Sequence, residues 1–240
     1  MPFQKLNKLH IRESFNDAAE SYDKSAVVQR ESGKRLLELT ASREGAPCVI
    51  VDIGCGTGHD SMALRRQFPN SMVVSMDIAL AMLKKARELG ESIPDASTLL
   101  CADAESLPLR DDSVDLIFSN AAFNWFNDLE STLQNFHIAL KDRGTLLFSL
   151  FGPNTLIEIR DAWKQAGSKG AHVNTFLSSK TLQDMLMEAG FKICHKETFA
   201  HHLYFENPRA AINSIRNVGG KNALSERQKG MTGKNLFNQF

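Results

Sequence analysis

The chain has 240 residues, 42% of them hydrophobic, with 28 basic side chains against 28 acidic ones and 7 prolines. That length and apolar content can bury one core, or one core with a small lobe, and the balanced charge argues against a general nucleic-acid binder. No run approaches the roughly 20 apolar residues that span a bilayer, and Met1 to Arg12 is mixed and basic without an apolar centre, so neither a membrane span nor an export signal is expected.

In chain order, Lys5 to Leu39 has helical spacing, with Phe15, Ala18, Ala19 and Tyr22 followed by Val27, Val28, Leu36 and Leu37. Apolar runs at Cys48 to Ile53, Met72 to Met76, Thr98 to Cys101, Val114 to Ser119 and Thr145 to Phe151 are too apolar for one-sided strands. Helix-like stretches separate them at Asp60 to Gln67, Ala79 to Leu89 and Leu129 to Leu140, while Ala104 to Asp112 reads as loop. Strand and helix alternation predicts an α/β fold with a mostly parallel sheet covered on both faces. Beyond it, Asn154 to Ala166 and Ser179 to Ala189 are predicted helices, the second capped by Ser178 or Ser179 and stopped by Gly190. Phe191 to Phe205 reads as extended, and Pro208 opens a last helix to about Val218. The segments are expected to form a single domain over 1–240: helices over 1–45, a nucleotide-binding core over 46–152 and an acceptor-side segment over 153–240.

The four cysteines, Cys48, Cys55, Cys101 and Cys194, are widely spaced, and three fall in or beside predicted buried strands. Neither a disulfide framework nor a metal cluster is expected, and a reducing cytoplasm fits. The tail carries Arg209, Arg216, Lys221, Arg227, Lys229 and Lys234 against Glu226 alone, a solvated helical surface or a face for an acidic partner.

The first apolar run ends in Gly54, Gly56 and Gly58. Glycines there allow a sharp turn and close approach of a ligand to the backbone. A dinucleotide fingerprint requires glycine at position 59, where this chain has His59. Ligands of open parallel sheets bind beyond the carboxyl ends of strands, which singles out Asp77 with Ile78, Asp103 with Ala104, and Asn120. Asp77 can accept from both ribose hydroxyls or cap the helix near Ala79. Asp103 can accept from an exocyclic adenine amine, with Ala104 offering its N–H and Ile78 an apolar face, or be a turn carboxylate. Asp52, inside the first run, needs partners to offset its burial; it steadies the glycine turn or faces a cationic ligand group.

With these residues in place, the chain resembles the class I methyltransferases that use S-adenosylmethionine, whose D-x-G-x-G-x-G motif stands here as Asp52 to Gly58. The resemblance implies a Rossmann-like fold with an N-terminal helical lid, Gly54, Gly56 and Gly58 along the methionine moiety, Asp77 on ribose, Asp103 and Ala104 on adenine, and Asn120 at the methyl-transfer end. The flanks Phe15-Asn-Asp-Ala-Ala-Glu-Ser-Tyr22-Asp23, Phe151-Gly-Pro-Asn-Thr-Leu-Ile-Glu-Ile-Arg160, His172-Val-Asn-Thr-Phe176 and Ser214-Ile-Arg-Asn-Val-Gly-Gly are similar to the malonyl-[acyl-carrier protein] O-methyltransferase family of biotin synthesis. That likeness implies methylation of the free malonyl carboxylate. Tyr22, His172 and Arg160 are candidate partners of that carboxylate, with core tyrosine, loop histidine and surface charge as the alternatives. Phe123, Asn124 and Trp125 are expected to line the pocket between donor and acceptor, with core packing the alternative for Trp125. Malonyl-acyl-carrier protein is expected to dock near Arg209, Arg216 and Lys221. The family continues past a segment like Met231-Thr232-Gly233 into a further helix and a closing antiparallel strand, which this sequence is expected to lack. Rival readings are a methyltransferase for another small acid or a quinone, a relative of the mitochondrial complex I assembly factor, and a non-catalytic donor-binding protein.

Overall fold

A computed structural model describes residues 5–41, 43, 45–90, 98–106, 109–168 and 172–224. Three helices precede the sheet: α1 (Lys8–Ala18), α2 (Tyr22–Ser25) and α3 (Val27–Thr40). The sheet region alternates β1 (Val49–Ile53), α4 (His59–Gln67), β2 (Met72–Asp77), α5 (Leu80–Gly90), β3 (Thr98–Cys101), β4 (Val114–Asn120), α6 (Leu129–Ala139) and β5 (Leu140–Ser149). Among the described residues, α7 (Ile157–Gln165), α8 (Ser179–Glu188) and α9 (Pro208–Asn217) follow. Side-chain caps start several of them. Asn7, Asp128, Ser178 and Asn207 each accept from the backbone N–H three residues on, satisfying an amide that has no partner within the helix.

The described strands lie parallel in the order β3-β2-β1-β4-β5. Because the chain steps outward from β1 in one direction and then crosses to β4 on its other side, the strand order reverses between β1 and β4. A crevice opens beyond their carboxyl ends. Side-chain alternation divides the core between the two faces. Val51, Ile53 and Ile117 join Leu133 and Phe136 of α6 and Met185 and Leu186 of α8 on one face, while Ile50, Leu116 and Phe118 join Leu36 of α3 and Leu64 of α4 on the other. Central strands buried on both faces explain the continuous apolar runs.

Several expectations need correction. The connection after β3 contains a 3-10 turn, Ala104–Ser106, because Asp103 caps the Glu105 N–H; residues 107–108 lie outside the described residues. β5 begins at Leu140 rather than Thr145, for Val114 pairs with Leu140 before a register shift brings Leu116 to Thr145. β3 is an edge strand, so Cys101 is exposed, as are Cys48 and Cys194, and all four thiols are free. Residues 191–205 form no strand, since β5 is the edge of the described sheet and does not pair with them. Ile193, Phe199, Leu203, Tyr204 and Phe205 stand exposed there. The Met231-Thr232-Gly233 segment falls outside the described residues.

Asp52 is the polar exception within β1, 1% exposed and hydrogen-bonded by the Ser61 hydroxyl of α4. Burial, reinforced by nearby Asp60, pushes its carboxyl up to about 8. In the unfolded chain the group ionises near an ordinary aspartate value of about 3.9, so the folded state retains a proton that the unfolded state loses. The stability contributed by this carboxyl is therefore full below that value and is lost as pH rises through 8, at up to about 1.4 kcal/mol per pH unit. Asp52→Asn should abolish that loss, so urea melts should show the variant's stability relative to the native chain increasing from pH 5 to pH 8; a pH-independent difference contradicts this account.

Candidate functional site

The turn after β1 is drawn against the end of β2, where Met76 O accepts from both Gly54 N (2.8 Å) and Cys55 N (3.0 Å). Gly54, Gly56 and Gly58 have φ of +69°, +55° and +86°, in the left-handed region that glycine adopts without penalty. Two of them are also required by packing. A β-carbon at Gly54 would lie 2.4 Å from Ala122 Cβ, and one at Gly58 would lie 2.8 Å from Ala86 Cβ. At Gly56 the space opens towards the Tyr22 ring, 3.7 Å from a built β-carbon.

Asp77 closes β2 and braces this turn: one carboxylate oxygen accepts from Gly56 N (2.9 Å) and the other from Ala79 N (2.8 Å). It thus caps the approach to α5 and fixes the middle of the glycine loop together. Burial raises its pKa, against the lowering effect of those amide bonds. At the end of β3, Asp103 Oδ1 accepts from Glu105 N (3.1 Å) and from Lys8 Nζ of α1 (3.0 Å). Ala104 is buried beside it and Ile78 half-buried.

Asn120, ending β4, has its full hydrogen-bonding capacity engaged. Its carbonyl accepts from Ser32 and Ser149 hydroxyls (both 2.7 Å), and its amide donates to Gln29 O (2.7 Å) and Asp60 Oδ2 (2.8 Å). The side chain therefore joins α3, α4 and β5, which positions the crevice wall and leaves no proton of its own for a ligand. Asp60 is a site residue that sequence reasoning overlooked, having counted it only as a helix start. The available signal was its place in the first turn of the helix that follows a glycine loop.

Tyr22 stands among acids. Burial, then the charges of Asp77, Asp60 and Asp23, hold its phenol well above the ordinary value, so it stays protonated. Arg160 is exposed on α7, and its guanidinium donates to Pro153 O (3.2 Å) and Thr155 O (3.0 Å), tying down the turn before that helix. His172 stacks on Trp163 with centroids 4.0 Å apart and its Nε2 lies 2.6 Å from Ser168 Oγ; burial lowers its pKa, favouring the neutral ring. Among the described residues no hydrogen bond, ion pair or ring contact joins any two of Tyr22, Arg160 and His172: Tyr22 belongs to the glycine turn, the other two to the region of α7.

The expected aromatic lining is core instead. Phe123 is 2% exposed and stacks on Phe148 with centroids 4.5 Å apart, because the 3-10 turn Phe123–Trp125 folds back over the sheet. Asn124 exchanges two hydrogen bonds with the Phe151 backbone, at 2.8 and 3.1 Å. Trp125 packs edge-on to Phe15, centroids 5.2 Å apart, in the cluster of Leu6, Ile11, Ala223 and Leu224. In the tail, Arg209 and Arg216 are exposed on α9, whereas Lys221 is paired with Asp17 at 3.0 Å. Arg227, Lys229, Lys234 and Glu226 lie outside the described residues.

The crevice thus gathers Asp52, Asp60 and Asp77, each with a pKa raised chiefly by burial. Such a cluster favours a ligand bearing positive charge, and the ammonium and sulfonium of S-adenosylmethionine fit it. A family profile described as a methyltransferase domain matches residues 51–148, which contain the glycine turn and all three acids. A chain of the Haloferax volcanii complex between the Trm112 activator and a methyltransferase shares the fold, with 22% identity, TM-score 0.64, and coverage of 87% of this chain and 93% of that one. The biotin biosynthesis bifunctional protein BioHC of Saccharophagus degradans is 32% identical over 96% of this chain and 41% of its own length. The malonyl-[acyl-carrier protein] O-methyltransferase of Xylella fastidiosa (strain M23) is 40% identical over 95% of this chain and 77% of its own. With a likeness of that depth running through both flanks as well as the crevice, this chain belongs to the malonyl-[acyl-carrier protein] O-methyltransferase family.

Proposed function

We propose that the protein, acting as a single cytoplasmic domain, methylates the free carboxylate of a malonyl thioester on acyl-carrier protein, an early step of biotin synthesis, with S-adenosylmethionine as donor. The observation that carries this reading is the glycine turn braced by Asp77 within a crevice of desolvated carboxylates; family membership supports the acceptor. Gly54, Gly56 and Gly58 border the methionine moiety, Asp77 takes the ribose hydroxyls on its remaining lone pairs, and Asp103 with Ala104 and Ile78 takes the adenine. Asp52 holds the turn through Ser61 of α4, and Asn120 sets the wall at the methyl-transfer end. The bound donor supplies an electrophilic methyl group on a sulfonium.

The acceptor carboxylate is ionised at neutral pH and needs no general base. The protein's task is alignment and exclusion of water, which together are worth up to roughly 7 to 11 kcal/mol. A protonated Tyr22 suits this task, because a phenol that keeps its hydrogen can donate to a carboxylate without competing for the methyl group. Neutral His172 contributes a hydrogen-bonding wall rather than a counter-charge. Arg160 is the cation of the acceptor side. The exposed face of α9, with Arg209 and Arg216, receives the acidic carrier protein, and Lys221 divides its charge with Asp17.

Three measurements test these assignments. Incubation of malonyl-carrier protein with the enzyme and S-adenosylmethionine should add the mass of one methyl group to the carrier; an unchanged mass rejects the acceptor. Asp77→Ala should weaken donor binding by at least about tenfold in calorimetry, since it removes a charged acceptor and unties Gly56; full retained affinity rejects the ribose assignment. Arg216→Glu should lower kcat/KM for the carrier protein and flatten its salt dependence while leaving donor affinity unchanged. Kinetics identical to those of the native chain would remove the docking face.

A further inference from the structure

α2 is a single turn of four residues, none of them buried, with no side-chain hydrogen bond at its N-cap. Yet it carries Tyr22, the ring that covers Gly56. Packing against the cluster of Ala18, Ala19, Ala79 and Met82 supports one side of that ring. Around it, Ser21 Oγ donates to Asn217 O at 2.9 Å, the Arg30 guanidinium donates to Asp23 O, and the side chain of Asp23 reaches the glycine turn. Asp23 Oδ1 accepts from the Thr57 hydroxyl at 2.5 Å and lies 3.5 Å from His59 Nε2. Thr57 sits between Gly56 and Gly58 and is 3% exposed, so its hydroxyl reaches the lid from inside the turn.

We infer that the Asp23–Thr57 hydrogen bond is a latch that closes the N-terminal lid on the donor, making Asp23 and Thr57 positioning residues for S-adenosylmethionine that act by holding Tyr22 over Gly56. The latch rests on the donor assignment above and is independent of the acceptor's identity. Its physical basis is economy of restraint. A one-turn helix is marginal on its own and α2 packs through the Tyr22 ring, whereas a hydrogen bond from a buried hydroxyl to a carboxylate is strong and directional. Other lid contacts reach elsewhere: Asn16 Oδ1 accepts from Ala81 N at 2.9 Å, and Glu20, 82% exposed at its side chain, pairs with Lys85 at 2.8 Å.

The test is a double-mutant cycle on the full chain, read by calorimetry with S-adenosylmethionine. Thr57→Val keeps the shape of the buried side chain and removes its hydroxyl; Asp23→Ala removes the acceptor. Each should raise the donor Kd about tenfold, and the pair together about tenfold as well, not the hundredfold product that independent sites give. Thr57→Ser should restore affinity, and Glu20→Gln should stay within about twofold of the native Kd. The donor KM should follow the same pattern. Multiplicative losses, native affinity in Thr57→Val, or no recovery in Thr57→Ser would each overturn the latch. In all three of those cases the native chain still binds donor, which separates them from failure of the donor assignment itself, seen as absence of binding by the native chain.

Discussion

The hydrogen bonds of Asp77 are the constraint around which the crevice is arranged. A loop with three left-handed glycines is conformationally loose by nature, and here its middle residue is tied by Gly56 N to a carboxylate at the end of the neighbouring strand. The same carboxylate holds Ala79 N, so the loop after β1 and the helix after β2 share one anchor. Register between β1 and β2, in which Ile53 pairs with Met76, delivers Asp77 to that point. The apolar sheet thus determines where the polar anchor stands.

Acids at the two ends of the strands contrast electrostatically. Asp115, near the amino end of β4, accepts from Cys48 N, Val49 N and Lys141 Nζ. Burial pulls its pKa upward, but the Lys141 bond and the backbone amides pull it further down, as for a structural carboxylate with a full set of partners. Asp52, Asp60 and Asp77, at the opposite end of the strands, show the reverse balance, with desolvation prevailing. Holding three such groups together is costly for the fold. That cost is intelligible where a cationic ligand completes the set, and it marks which end of the sheet is the working one.

Much of this was legible in the sequence, because strand ends in a parallel sheet are marked twice, by the end of an apolar run and by the polar residue that follows. Asp77, Asp103 and Asn120 were found that way. What a polar residue then does depends on partners distant in sequence, which the local pattern does not display. Asn120 is engaged by Gln29, Ser32, Asp60 and Ser149, so its amide is a joint between elements rather than a hand extended to a ligand. Phe123 and Trp125 share one short turn, yet one ring enters the core of the sheet and the other joins residues from both ends of the chain. Nothing in the local pattern distinguishes those fates. Residues 191–205 form no strand for a related reason: strand propensity yields a strand only where a partner edge is offered.

The two ends of the described chain pack against each other in one cluster. Asn7 N donates to Ala223 O at 2.9 Å, Leu6 bridges Leu224, and Ser21 Oγ donates to Asn217 O at 2.9 Å. Lys8, one residue past Asn7, is the cation that pairs with Asp103 and Glu105 at the end of β3 and lies 5.3 Å from the Phe126 ring centroid. The N-terminal helices therefore touch the strand ends at two places, through Lys8 near Asp103 and through α2 at the glycine turn, and also pack against α9. Because packed elements resist relative displacement, the seating of α9 against α1 and α2 and the two contacts at the strand ends depend on one another.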